Sequence, residues 1–187
     1  MILYLENLGI IKQAKIDLDK KFTLFCGRNS TGKTYASYIL QAFLTPMDIF
    51  SLNCFKSITE QIIETGSFKM EKSFITEYLN AQCKYVKEQT GIIFGISDAT
   101  SEKLFGKFGL SVEYSDEDFE DSLAIEIKSS LKNSSFILNI TKTSGSNIIK
   151  IDENNIDVHS LLAPRGITAE SLFCDIFTTW HFVVQAK

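Results

Sequence analysis

The chain has 187 residues, 44% of them hydrophobic, and a net charge of −4. That length supports one globular domain or lobe with a real core, and the acidic balance excludes a global pull towards nucleic acid, leaving room only for a local basic patch. No apolar stretch approaches the roughly 20 residues of a membrane span. The first residues, Met1-Ile2-Leu3-Tyr4-Leu5-Glu6, lack the basic region of a signal peptide. Cys26, Cys54, Cys83 and Cys174 form no C-x-x-C pair, which disfavours a zinc site or a disulfide framework. Reduced thiols in a cytoplasmic protein are the expectation.

In chain order, the first 26 residues read as a small sheet. Ile2-Leu3-Tyr4-Leu5 leads through Asn7-Leu8-Gly9 to Ile10-Ile11, and residues 14–19 alternate apolar and polar as a strand with one wet face does. After a turn at Lys20-Lys21, the β-rich run Lys21-Phe22-Thr23-Leu24-Phe25-Cys26 is expected to be the strand that feeds the next segment.

That segment is Gly27-Arg28-Asn29-Ser30-Thr31-Gly32-Lys33-Thr34, a complete G-x-x-x-x-G-K-[ST] phosphate-binding loop. Its glycines let the backbone curl so that successive N–H groups face phosphate oxygens. Lys33 is the group that reaches the β- and γ-phosphates and carries the catalytic assignment, and the Thr34 hydroxyl is the Mg²⁺ ligand. The following helix, from Tyr35 to Leu44, adds the positive end of its dipole and stops before Pro46. The predicted nucleotide contacts are therefore residues 27–34 with Tyr35, and the cofactors are ATP and Mg²⁺. A Gly-rich turn that binds nothing explains the glycines but not the adjacent Lys33-Thr34.

Residues 46–109 read mainly as helix. Apolar residues recur at three- and four-residue steps in Ser57–Glu64 and in Phe74–Val86, with Gly66 between them, and a short helix is expected over Ser101–Phe105. From 110 to 165 the texture is that of a β meander. Strands are expected at Leu110–Tyr114, Ala124–Lys128, Phe136–Ile140 and Asn147–Ile151, with an acidic connector at 115–121. Residues 166–187 read as a closing helix capped by Thr168. The acidic connector lacks calcium-loop spacing, and His159 and His181 have no ligand-spaced companions, so a solvated loop and ordinary histidines are the expectation.

Asn29 in the third position of the loop, with the early segment Leu5-Glu6-Asn7-Leu8-Gly9-Ile10-Ile11-Lys12-Gln13-Ala14-Lys15-Ile16-Asp17-Leu18 before it, resembles the N-terminal lobe of ABC-type ATPases of the SMC and OLD kind. These include the stand-alone "AAA family" ATPases of bacterial anti-phage systems. The resemblance covers residues 1–45. Leu162-Ala163-Pro164-Arg165-Gly166 is similar to a Pro-x-x-Arg element of some of these proteins, and a turn built on Pro164 and Gly166 explains it as well.

The resemblance implies an α/β P-loop NTPase fold, an ABC-type N-terminal lobe with a mixed sheet, a helical segment and a β meander, in one domain over 1–187. It also implies ATP-driven dimerisation serving a nucleic-acid or defence-effector task. The expected partners are a second copy or a partner ATPase lobe, an effector protein or a nucleic acid, and no membrane. ATP rather than GTP follows from the family, since no N-K-x-D motif is present.

Three elements of that family are missing: a Ser-Gly-Gly-like signature, a hydrophobic strand ending in Asp-Glu, and a histidine switch after a final strand. At the nearest match, Leu172-Phe173-Cys174-Asp175, Ile176 stands where Glu is expected. Hydrolysis is therefore expected to need residues beyond this chain, read as the N-terminal portion of a longer ATPase whose insertion begins near residue 187. Two alternatives stay open. One is an interaction module that uses ATP as a structural ligand. The other is a small-molecule kinase, although Arg28 and Arg165 are too few arginines for a kinase lid.

Overall fold

A computed structural model of the protein describes residues 1–45, 53–132 and 137–154. In chain order the elements are β1 (Ile2–Leu8), β2 (Ile11–Asp17), α1 (Lys33–Leu44), α2 (Asn53–Thr65), β3 (Ser67–Lys69), α3 (Lys72–Glu88), α4 (Thr90–Phe94), α5 (Asp98–Phe105), β4 (Gly109–Glu113), α6 (Asp116–Leu123), β5 (Ile127–Lys132), β6 (Ile137–Lys142) and β7 (Ile148–Asn154). The fold is mixed α/β, and both described sheets are antiparallel. The Pro-x-x-Arg patch, the closing helix at 166–187, the Leu172–Asp175 match, His159 and His181 lie outside the described residues.

The described residues form two compact units. One comprises 1–45 and 79–115; the other comprises 53–78, 116–132 and 137–154. The first contains a three-stranded sheet in the order β2-β1-β4. Alternation along β1 turns Leu3 and Leu5 inward, where they pair across the sheet with Ile16 and Ala14 of β2 and with Val112 and Leu110 of β4. Helix α1 adds Ala36, Ile39 and Phe43, spaced to fall on one face, and α3 adds Leu79, Cys83 and Val86. Burying Ile39 and Phe43 contributes about 1.5–3 kcal/mol each.

The end of α1 is held by a side chain from α3. Gln82 is fully buried, and its Nε2 donates to the carbonyls of Ala42 (3.2 Å), Phe43 (3.1 Å) and Thr45 (2.6 Å). Its two N–H groups thus serve three carbonyls at the end of α1, of which Ala42 also accepts from the Thr45 N–H at 3.3 Å. Burial also pushes the thiol of Cys83 up to about 12, one residue further along α3.

The second unit contains a four-stranded sheet in the order β3-β7-β6-β5. Phe68, Ile127, Ile140, Ile149 and Ile151 are buried from its strands, Ile58 and Ile62 from α2, and Ile75 and Tyr78 from α3. Helix α6 ends on a buried cation: Lys142 Nζ donates to the carbonyls of Leu123 (2.7 Å), Ile125 (2.6 Å) and Ser122 (3.5 Å). A lysine at a helix C-terminus suits the dipole, while burial lowers its pKa.

Several expectations change. The run Lys21–Cys26 is not a strand: residues 22–27 pair with no strand among the described residues, and Phe22 and Leu24 are 77% and 69% exposed. A β-rich composition does not form a ladder without a neighbouring edge. The strand expected at Leu110–Tyr114 exists as β4 but pairs with β1 rather than with the meander. The acidic connector forms helix α6, with Asp116, Glu117 and Asp118 in its first turn where the dipole favours carboxylates. The strand expected from Ala124 starts at Ile127, because Leu123 and Ile125 give their carbonyls to Lys142.

Candidate nucleotide-binding site

Residues 27–34 form a tight turn that ends directly in α1. Gly27 has φ 151°, Ser30 has φ 59° and Gly32 has φ 87°, and Gly32 is the residue on which α1 begins. The left-handed backbone at Gly32 suits glycine alone, for a second reason as well. A Cβ built there would lie 2.5 Å from Ile11 Cγ1 and 2.8 Å from Ile11 Cδ1. The Gly32 carbonyl accepts from the Ala36 N–H at 3.0 Å, which starts the helical ladder.

Lys33 folds back over the loop it follows. Its Nζ donates to the carbonyls of Gly27 at 2.9 Å and Arg28 at 2.5 Å and lies 3.5 Å from Thr31 Oγ1. The Thr31 hydroxyl donates to the same Arg28 carbonyl at 2.8 Å. The ammonium is thereby fixed over the mouth of the turn, and among the described residues no carboxylate forms an ion pair with it. Arg28, Asn29, Ser30 and Thr31 are exposed along the turn, and Thr34 is exposed on the first turn of α1. Ser37 Oγ donates to the Thr34 carbonyl at 3.1 Å.

Tyr35 faces the other way, into the protein. Its ring meets Phe94 edge-on at 5.3 Å and Phe105 at 5.5 Å between centroids. Gly9, in the β1–β2 turn, lies against the same ring: a Cβ there would sit 2.6 Å from Tyr35 Cε2. The Tyr35 side chain thus anchors the start of α1.

The charge of the N-terminal segment that carries the loop differs from that of the whole chain. Residues 1–45 carry Lys12, Lys15, Lys20, Lys21, Arg28 and Lys33 against Glu6, Asp17 and Asp19, whereas the whole chain has a net charge of −4. Two residues that shape the loop, Gly9 and Ile11, carry no signal in the sequence. They act through contacts between segments more than twenty positions apart.

A mixed α/β fold with a G-x-x-x-x-G-K-T turn delivering Lys33 at a helix start defines the phosphate-loop NTPase class. The chain belongs to the AAA ATPase domain family, whose model matches residues 1–171. No curated protein and no solved structure gives a significant match. Membership of this family makes the chain an ATP-binding domain of an ATPase. Among the described residues, no helix is long and apolar enough to cross a membrane.

Proposed function

We propose that residues 27–34 bind the phosphates of ATP with Mg²⁺, and that the chain is the ATP-binding lobe of an ABC/SMC-type ATPase. The observation that carries this reading is the Lys33 ammonium, tethered to the Gly27 and Arg28 carbonyls over the turn at 2.9 and 2.5 Å. A cation fixed there by the loop is preorganised for a phosphate and loses little side-chain freedom on binding. The backbone N–H groups of the turn and the start of α1 complete an anion cradle. The exposed Thr34 hydroxyl is the group in reach of a phosphate-bound Mg²⁺. When bound, the metal neutralises charge developing on the β- and γ-oxygens.

Lys33 holds and stabilises phosphate charge, and nothing in this chain is assigned to orient the attacking water. Hydrolysis in this reading needs residues beyond the chain, supplied by a partner lobe or a second copy that closes on ATP. The exposed Phe22 and Leu24 beside the loop support this, since they leave apolar surface for a further segment to cover. The closure would serve a nucleic-acid or defence-effector task in the cytoplasm. The test is Mg-ATP binding and phosphate release by the isolated chain. Binding with negligible turnover is expected; robust turnover abolished by Lys33→Ala would place a complete hydrolytic site within these residues and refute the partner requirement.

A further inference from the structure

The turn joining β1 to β2 touches the loop and its helix at two points. Leu8 pairs with Ile11 across a two-residue turn, Gly9-Ile10, with φ positive at Gly9. Gly9 seats against the Tyr35 ring, itself wedged by Phe94 and Phe105. Two residues on, Ile11 lies against Gly32, so closely that Cγ1 and Cδ1 occupy the space a Cβ would need.

We propose that Ile11 is a positioning residue for the phosphate loop: its side chain closes off the backbone of Gly32 and so fixes the direction of the N–H groups at the start of α1. The inference rests on the reading of residues 27–34 as a phosphate site. Glycine is the residue with the most backbone freedom. At φ 87° nothing of its own holds Gly32 in place, and the loop N–H groups must converge on one anion. The helix fixes one side of Gly32 through the Ala36 N–H. Ile11 fixes the other, and it is itself held by the hairpin register and by the Gly9–Tyr35 contact. Truncating Ile11 leaves a gap behind Gly32. The backbone order that phosphate binding requires must then be imposed by the ligand.

Calorimetric titration of the folded chain with Mg-ATP, and separately with Mg-pyrophosphate, tests this. For Ile11→Ala, both affinities are expected to fall by about the same factor, on the order of tenfold, because the cradle is common to both ligands. Ile11→Val keeps Cγ1 against Gly32 and is expected to restore most of the loss. If Ile11→Ala weakens ATP but leaves pyrophosphate unchanged, Ile11 contacts the nucleoside instead, and the proposal is overturned. If the variant only lowers the unliganded melting temperature while the folded protein binds both ligands as wild type does, the role is structural and the proposal fails. Wild-type protein that binds neither ligand would overturn the phosphate-site reading as well, and is told apart by that control.

Discussion

On its C-terminal side the loop runs into α1, which buries Ala36, Ile39 and Phe43 and has its last carbonyls held by the buried Gln82. On its N-terminal side residues 22–26 leave Phe22 and Leu24 in solvent and pair with no strand among the described residues. Among the described residues, the same loop is thus packed on one flank and bare on the other. The difference separates two tasks. Holding a phosphate, in the proposed reading, falls to the helix start and Lys33, which the packed flank supports. Completing a reaction, in the proposed reading, needs groups from outside the chain, and the exposed Phe22 and Leu24 leave apolar surface beside the loop.

Substitutions on the two flanks break or sharpen this contrast. Phe43→Ala empties a fully buried site and is expected to destabilise the protein by about 3–5 kcal/mol in urea unfolding. Gln82→Leu keeps volume but removes the side-chain donor to the carbonyls of Ala42, Phe43 and Thr45, an expected loss of about 2 kcal/mol in the same assay.

The α1 flank also has a pH signature. The Cys83 thiol, raised by burial from 9.0 to about 12, binds a proton more tightly folded than unfolded. Its contribution is therefore complete below pH 9 and is lost as pH rises towards 12, with a slope of up to about 1.4 kcal/mol per pH unit. Cys83→Ala should flatten that alkaline slope; an unchanged slope would assign it to other groups. The smallest effect belongs to the bare flank. Phe22→Ser and Leu24→Ser are each expected to change stability by less than about 0.5 kcal/mol. A loss comparable to that of Phe43→Ala would mean that this flank is packed and would remove the contrast.

Much of the anchored flank is legible in the residues themselves. The 3.6-residue spacing of Ala36, Ile39 and Phe43 gives α1, that of Ile75, Leu79, Cys83 and Val86 gives α3, and the loop motif places Lys33. Pairings between distant segments are not legible. The three residues of β3 exist only through their ladder to β7, and β4 reads as a meander strand until β1 is seen beside it. Lys21–Cys26 fails for the converse reason, a strand composition with no edge to join. In α6 the aspartates that weaken a helix interior sit in the first turn, where the dipole welcomes them, and the far end rests on a lysine some twenty residues away. In the site, the motif gives the proposed ligand groups but not Gly9 and Ile11, which matter through what they touch.

The most direct test of the account is equilibrium binding of Mg-ATP to the wild-type chain beside Lys33→Ala. The account predicts saturable binding by the wild type and a loss of at least about a hundredfold in affinity in the variant, since the cation tethered over the turn is gone. Equal affinity in both proteins would contradict it and move the nucleotide site away from residues 27–34.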